Sequence, residues 1–174
     1  MTNLLVLSDS HGNREVMREV LSRQLTLPKR EQPHYVVFLG DCVRDLNAFD
    51  GVLPDGMSVL AVKGNCDAVG ASDFPEILRP AFSNYRTMMT HGHRFSVKAG
   101  VEFSVQYAAY YDVDLFLFGH THRPFYSRLD AGEEAYGVRM KKPLILFNPG
   151  SLAEGSFGLV RLSEQGIAVS HGVI

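Results

Sequence analysis

The chain has too few cysteines for a disulfide framework. Only Cys42 and Cys66 occur in 174 residues, and they do not form the Cys-x-x-Cys pair of a structural zinc site. Reduced thiols in a cytoplasmic protein are the simplest expectation. An excess of either charge is also missing. Seventeen Lys and Arg against nineteen Asp and Glu leave a net charge of -2, which removes the electrostatic case for a nucleic-acid polymer or an anionic membrane as partner. No apolar run approaches the ~20 residues that a membrane-spanning helix needs. A strand-like segment, Leu4-Leu5-Val6-Leu7, follows Thr2-Asn3 directly, so no signal peptide is expected. Repeats, low-complexity tracts and linkers are absent, and the length suits one domain over residues 1–174 with a substantial core.

What is present is a strand-and-turn grammar. Leu4 to Leu7, Tyr35 to Leu39, Val59 to Val62 and Leu115 to Phe118 are short, continuous apolar runs, as expected of strands buried on both faces. Asn13 is placed as an N-cap, and Val16, Met17, Val20, Leu21 and Leu25 then recur at helical spacing. The first part of the chain therefore predicts β-loop-α-β units with parallel strands. Ile77 to Phe82 and Tyr85 to Thr90 predict a hairpin across Ser83-Asn84, and Val101 to Tyr111 an amphipathic helix that buries most of Tyr107, Tyr110 and Tyr111. Beyond Gly119, turn signals separate short strands around Phe125 to Leu129, Leu144 to Phe147, Phe157 to Leu162 and Ile167 to His171, which predicts antiparallel hairpins. Two packed sheets with helices outside follow.

Five segments set metal-ligand side chains beside glycines: Asp9-Ser10-His11-Gly12, Gly40-Asp41, Gly64-Asn65-Cys66-Asp67, His91-Gly92-His93 and Gly119-His120-Thr121-His122. Four of them follow directly on an apolar run. Asp, Asn and His supply the oxygen and imidazole donors that suit Mn, Fe, Zn or Ni. Just past strand ends, they converge at one sheet edge, where open α/β folds place their sites. There are too many donors for one tetrahedral ion, so two ions are expected. Asp9 and His11 alternate across Ser10, as His120 and His122 do across Thr121, which on an extended strand end points both side chains the same way. Asp41, with two oxygens, suits a bridge between cations, and Asn65 offers a neutral oxygen. His93 is expected to orient a ligand or contact substrate, whereas His34 and His171 lack ligand-rich neighbourhoods and are expected to be structural or solvated.

In this order the five segments, with Asp41-Cys42-Val43-Arg44-Asp45 extending the second, resemble those of the calcineurin-like metallophosphoesterases. Within them the chain is similar to the compact YfcE-like phosphodiesterases, a branch that Asn148-Pro149-Gly150-Ser151 also typifies. The resemblance implies the metallo-dependent phosphatase fold, a four-layer α/β/β/α sandwich of two mixed sheets flanked by helices. It also implies two divalent ions, manganese first, with iron, zinc or nickel as alternatives. Asp9, His11 and His122 would hold one ion and Asn65, His91 and His120 the other, with Asp41 bridging. Asp41, Asn65, His91 and His120 would carry catalysis, in which a metal-bridging hydroxide attacks the phosphorus of a small phosphodiester. A homo-oligomer is a further implication.

A phosphomonoesterase or protein phosphatase on the same centre is the alternative expectation. A non-catalytic scaffold, like the retromer subunit that keeps this fold, is disfavoured because all seven ligand positions are intact. One departure stands out. Many larger relatives have His where this chain has Cys66, and a thiol is a poor proton donor to an alkoxide. Esters with acidic leaving groups are therefore the expected good substrates. Asp67 is expected to orient a ligand His.

Overall fold

A computed structural model describes residues 1–67 and 73–174. Strand β1 (Thr2–Leu7) leads through helix α1 (Arg14–Leu25) to β2 (Tyr35–Phe38), and a 3₁₀ segment (Val43–Phe49) leads on to β3 (Ser58–Ala61). These three strands are parallel, as the β-loop-α-β reading predicts. Asn13 caps α1, its side-chain oxygen accepting the Val16 N–H at 3.3 Å. The predicted hairpin forms, but its first arm is broken into β4 (Ile77–Leu78) and β5 (Ala81–Phe82), both antiparallel to β6 (Tyr85–Thr90). Pro80 lies at the break, where a residue without an N–H cannot donate to a ladder. Helix α2 (Glu102–Tyr110) and β7 (Leu115–Leu117) follow, then β8 (Pro124–Leu129), the small hairpin of β9 (Glu134–Ala135) and β10 (Val138–Arg139), β11 (Leu144–Pro149), β12 (Ser156–Ser163) and β13 (Gly166–Val173).

The strands make two mixed sheets. One runs β13-β12-β1-β2-β3; the other runs β4-β6-β7-β11-β8, with β5 beside β6. Antiparallel pairing holds for β12–β13 and β8–β11, but β11 is parallel to β7, so the late strands are not simple hairpins.

Strand pleating sorts the apolar runs into three layers of core. Leu5, Leu7, Val36 and Phe38 face α1, through Met17, Val20 and Leu21. Their neighbours Leu4, Val6, Val37 and Leu39 point the other way and meet Leu115, Leu117, Ile145 and Phe147 of the second sheet. Phe116, Phe118, Leu144 and Leu146 face α2, through Val105 and Ala108. Continuous apolar runs arise because both faces of each central strand are buried, each large side chain contributing about 1.5–3 kcal/mol. The result is the expected four-layer α/β/β/α sandwich.

Helix α2 departs from expectation. Only Tyr107 is half-buried, while Tyr110 and Tyr111 are exposed and packed on each other, with Arg79 above the Tyr111 ring. Ser104, Val105 and Ala108 form the buried face instead, and Tyr110, two residues past Ala108, lies on the opposite side of the helix. Among the described residues no helix is long and apolar enough to cross a membrane.

Candidate metal centre

All five ligand-bearing segments meet at one end of the sandwich, past the ends of β1, β2, β3, β6 and β7. They do so through a backbone conformation that the alternation argument does not contain. Asp9, His11, Asp41, Cys42, His120 and His122 all have left-handed backbones, with φ between 45° and 79°. They make up six of the ten non-glycine residues with positive φ among those described, so the strain is concentrated here. Such a residue costs of order 1–3 kcal/mol and persists only where its surroundings fix it. Asp and His are among the types that tolerate this region best. Asp9 with His11, and His120 with His122, therefore converge because the chain curls past each strand end, not because it stays extended.

The side chains form two groups. Asp9, His11 and His122 offer one set of ligand atoms, Asp41, His91 and His120 the other, each set lying within 4.8 Å of one another. In the first, His11 Nε2 lies 3.3 Å from His122 Nε2, which is 3.2 Å from Asp9 Oδ1. In the second, His91 Nε2 is 3.3 Å from Asp41 Oδ2 and 3.2 Å from His120 Nδ1. The groups adjoin, since Asp9 Oδ1 is 3.9 Å from His91 Nε2.

Two observations fit this donor set to cations. Asp9 Oδ1 is buried with no hydrogen-bond partner, although three imidazole nitrogens surround it. A buried carboxylate oxygen left so costs several kcal/mol unless something positive takes it up. His91 Nδ1 lies 2.8 Å from the Leu39 carbonyl and donates to it, which leaves the Nε2 lone pair aimed at Asp41 and His120. Mixed carboxylate and imidazole donors suit first-row divalent ions.

Asn65 is exposed, with its amide nitrogen 3.3 Å from Cys66 Sγ. The chain ties it to the second group, because the Cys66 N–H donates to Asp41 Oδ1 at 2.9 Å. His93 belongs to neither group. Its ring centroid is 5.6 Å from that of His91 and 6.2 Å from that of His120. His34 accepts the Asn3 N–H, and His171 stacks on Phe147 while donating to the Asn148 carbonyl, so both are structural.

Electrostatics follow from this crowding. Burial disfavours the charged Asp41 carboxylate, yet the His91 contact and the Cys66 N–H outweigh it and hold the group well below the usual carboxylate range. Burial likewise opposes protonation of His91, and the Asp41 and Asp9 carboxylates reverse that, raising its pKa. His120 moves the other way, down to about 4, through burial and then the positive charges of His91 and Lys98. The Cys66 thiol is pushed up to about 11 by partial burial and the neighbouring Asp41 carboxylate.

The supporting contacts correct one expectation and add several residues. Asp67 does not touch a ligand His. Its carboxylate accepts four backbone N–H groups, from Gly64, Asp41, Cys42 and Val43, at 2.7–3.0 Å. It thus shapes the loop that carries Asp41. Asp45, buried, accepts from the Ser10 hydroxyl and the Gly12 N–H, both at 2.7 Å, and from Arg14, so it fixes the His11 loop. Its only sequence signal is a carboxylate four residues after Asp41. Asn148 donates to the Gly119 carbonyl at 2.8 Å, and Ser151 to the Asp9 carbonyl at 3.0 Å. The Asn148-Pro149-Gly150-Ser151 segment therefore clamps two ligand loops.

Close backbone packing completes the site. A Cβ on Gly64 would fall 2.1 Å from Asp41 Oδ1, and one on Gly119 1.9 Å from Ser8 Oγ and 2.8 Å from Asp9 Oδ2. These glycines are required because the side chains of Asp41 at one position, and of Ser8 and Asp9 at the other, occupy the space a Cβ would take.

Known proteins share both sequence and architecture. A Bacillus subtilis (strain 168) protein named "Probable metallophosphoesterase YsnB" is 28% identical over 150 residues, covering 86% of this chain and 75% of that protein. A Streptococcus pneumoniae TIGR4 crystal structure, described as a conserved uncharacterized protein and predicted phosphoesterase, superposes with a TM-score of 0.73 at 22% identity, over 99% of this chain and 89% of that one. A novel archaeal phosphodiesterase superposes with a TM-score of 0.69 at 17% identity, over 99% and 100%. Residues 2–168 match the family model of the calcineurin-like phosphoesterase superfamily domain. With two Asp/His ligand groups at the strand ends and nearly its whole length matched, the chain belongs to the calcineurin-like phosphoesterase superfamily.

Proposed function

We propose that the protein is a binuclear phosphodiesterase acting on small phosphodiesters. The adjoining Asp/His groups around the orphaned Asp9 Oδ1 carry this reading. Asp9, His11 and His122 would hold one ion, Asn65, His91 and His120 the other, and Asp41 both, with manganese the first candidate. When bound, two such ions supply Lewis-acid stabilisation of a phosphoryl transition state and make water nucleophilic at neutral pH. The chain's own part is orientation. Buried Asp9, Asp41 and His91 form a fixed floor, while the His11 and His122 side chains, 33% and 37% exposed, leave the groups open to substrate on one side. Asn65 would meet phosphoryl oxygens with a neutral amide, adding no repulsive charge. Likeness to an archaeal phosphodiesterase supports the diester over the monoester reading.

Chelator-stripped protein is expected to lose at least about a thousandfold of its bis-para-nitrophenyl phosphate hydrolysis and to regain it with Mn²⁺. Metal uptake with turnover of para-nitrophenyl phosphate alone would move the assignment to a monoesterase. Absence of both uptake and turnover would remove the enzyme reading.

Cys66 sets the leaving-group preference. A thiol is a weak hydrogen-bond donor and a poor proton donor to a departing alkoxide. Alkyl diesters are therefore expected to react about 10²–10⁴-fold more slowly than aryl diesters, beyond their chemical difference. Cys66→His should recover part of this. Equal turnover of both ester types by the native enzyme would rule the idea out.

A further inference from the structure

Beside the metal centre lies a cleft of about 730 Å³ that none of the ligand residues lines. It is contiguous with the centre at two places. Thr121, between His120 and His122, forms part of its wall. Val97, another wall residue, packs so closely on the loop between His91 and His93 that a Cβ on Gly92 would lie 2.8 Å from its Cγ2. Its volume falls in the range of pockets that hold a whole small ligand.

The walls mix two chemistries. Half-buried Phe125 and exposed Tyr136 present aromatic surface, with the buried Phe118 ring packed behind Phe125 at 5.8 Å. Lys98 and Arg123, both exposed, add positive charge, and among the described residues neither has an acidic partner. Glu102 is the one acidic side chain of the wall, and it pairs with neither. Unpaired cations over aromatic walls are arranged for a ligand that is planar and anionic.

Tyr136 supplies an independent observation. With Gly137 it forms the two-residue loop between β9 and β10, and both have positive φ, 51° and 75°. That turn is made most easily by Asn-Gly, and a bulky ring at its first position is a costly choice. Gln106 of α2 donates to the Tyr136 carbonyl at 3.0 Å, holding the strained turn over the cleft. Local folding gains nothing from a tyrosine here, whereas a ring placed over the cleft gains a stacking surface.

We propose that this cleft binds the non-reacting substituent of the substrate, and that this substituent is a nucleoside bearing a second phosphate, its base against Tyr136 and its phosphate between Lys98 and Arg123. The proposal rests on the phosphoesterase reading and adds to it the substrate class.

Three esters sharing one leaving group test it: methyl para-nitrophenyl phosphate, thymidine 5′-(para-nitrophenyl phosphate) and the 3′-phosphorylated form of the latter. With Mn²⁺, kcat/KM is expected to rise at least tenfold from the first to the second and tenfold again to the third. In the Lys98→Gln, Arg123→Gln double variant the last ratio falls toward one. Tyr136→Asn loses the first ratio while its melting temperature rises, a combination that a purely structural tyrosine would not give. Calorimetry with thymidine 3′,5′-bisphosphate and metal-stripped protein provides a readout independent of turnover, and the double variant should bind it at least tenfold more weakly. Native ratios near one, or ratios kept in the variants, overturn the proposal. Equal hydrolysis of all three esters without bisphosphate binding removes the cleft assignment and leaves the phosphoesterase standing. Bisphosphate binding through Lys98 and Arg123 without hydrolysis of any ester does the reverse. Neither hydrolysis nor binding removes both.

Discussion

Asp67→Ala is expected to lose about 3–5 kcal/mol of stability and about 10–100-fold in metal affinity, without removing a single proposed ligand. The Asp67 carboxylate is the common acceptor of four N–H groups from two loops, the residue 41–43 turn and the turn at Gly64. A hydrogen bond to a charged group contributes about 1.5–3 kcal/mol, and four that share one acceptor are not additive. Water would replace part of what is lost, since Asp67 is only half-buried. The loops themselves have no substitute partner, and two residues of the first, Asp41 and Cys42, are held at positive φ. Released, they relax toward ordinary backbone geometry and carry the Asp41 carboxylate away from His91, an outer-contact loss that commonly weakens metal binding 10–100-fold. Asp67→Asn keeps one acceptor oxygen and should fall between the two. Denaturant unfolding and calorimetric metal titration of both variants provide the check. A change within about 0.5 kcal/mol for the alanine variant would show that the loops are fixed by something else.

Gly119→Ala should be as damaging for the opposite reason, excess volume. The added methyl would stand 1.9 Å from Ser8 Oγ, 3.0 Å from Ser8 Cβ and 2.8 Å from Asp9 Oδ2. None of these atoms is the free end of a long side chain. Ser8 and Asp9 are fully buried, and their side chains hydrogen-bond at 2.5 Å. Either β7 withdraws from β1, which opens the interface between the sheets, or Asp9 turns away from His11 and His122. We expect about 3 kcal/mol of destabilisation and loss of one of two bound metal equivalents in a titration followed by elemental analysis. Gly100→Ala is the matched control, because a methyl there meets nothing within 4 Å and its φ is not positive. Its stability should stay within about 0.5 kcal/mol. Two tightly bound equivalents in Gly119→Ala would refute the packing argument.

These predictions mark how far sequence reading reaches. Apolar runs ending in Asp, Asn or His beside glycine are local patterns, so the strands, their sandwich and the ligand-bearing turns were legible. The clamps were not. Asp67 acts on a loop 24–26 residues away and Ser151 on one 142 residues away, and no spacing rule connects such partners. Backbone handedness was hidden too, because Asp-x-His is compatible with an extended strand end and the left-handed curl comes from the contacts that hold it. The hairpin over Glu134–Arg139 is too short to leave a periodic signal. Tyr110 and Tyr111 misled for another reason. Helical spacing says which residues share a face, but which face meets the sheet is set by the packing of the domain, and here it is that of Ser104, Val105 and Ala108.

Clamping by Ser151 also orders events during synthesis. Asp9 and His11 are made well before the segments that enclose them: the strand that bears them is completed by β12, and its turn is tied by a residue 142 positions later. A nascent chain thus carries all of these donors before Ser151, which ties the Asp9 turn, has been made. Uptake of a metal by the complete donor set would then follow closure of the two sheets. An ion taken up at that stage would meet donors already held by their clamps, so coordination geometry, in addition to raw affinity, would select among competing cations.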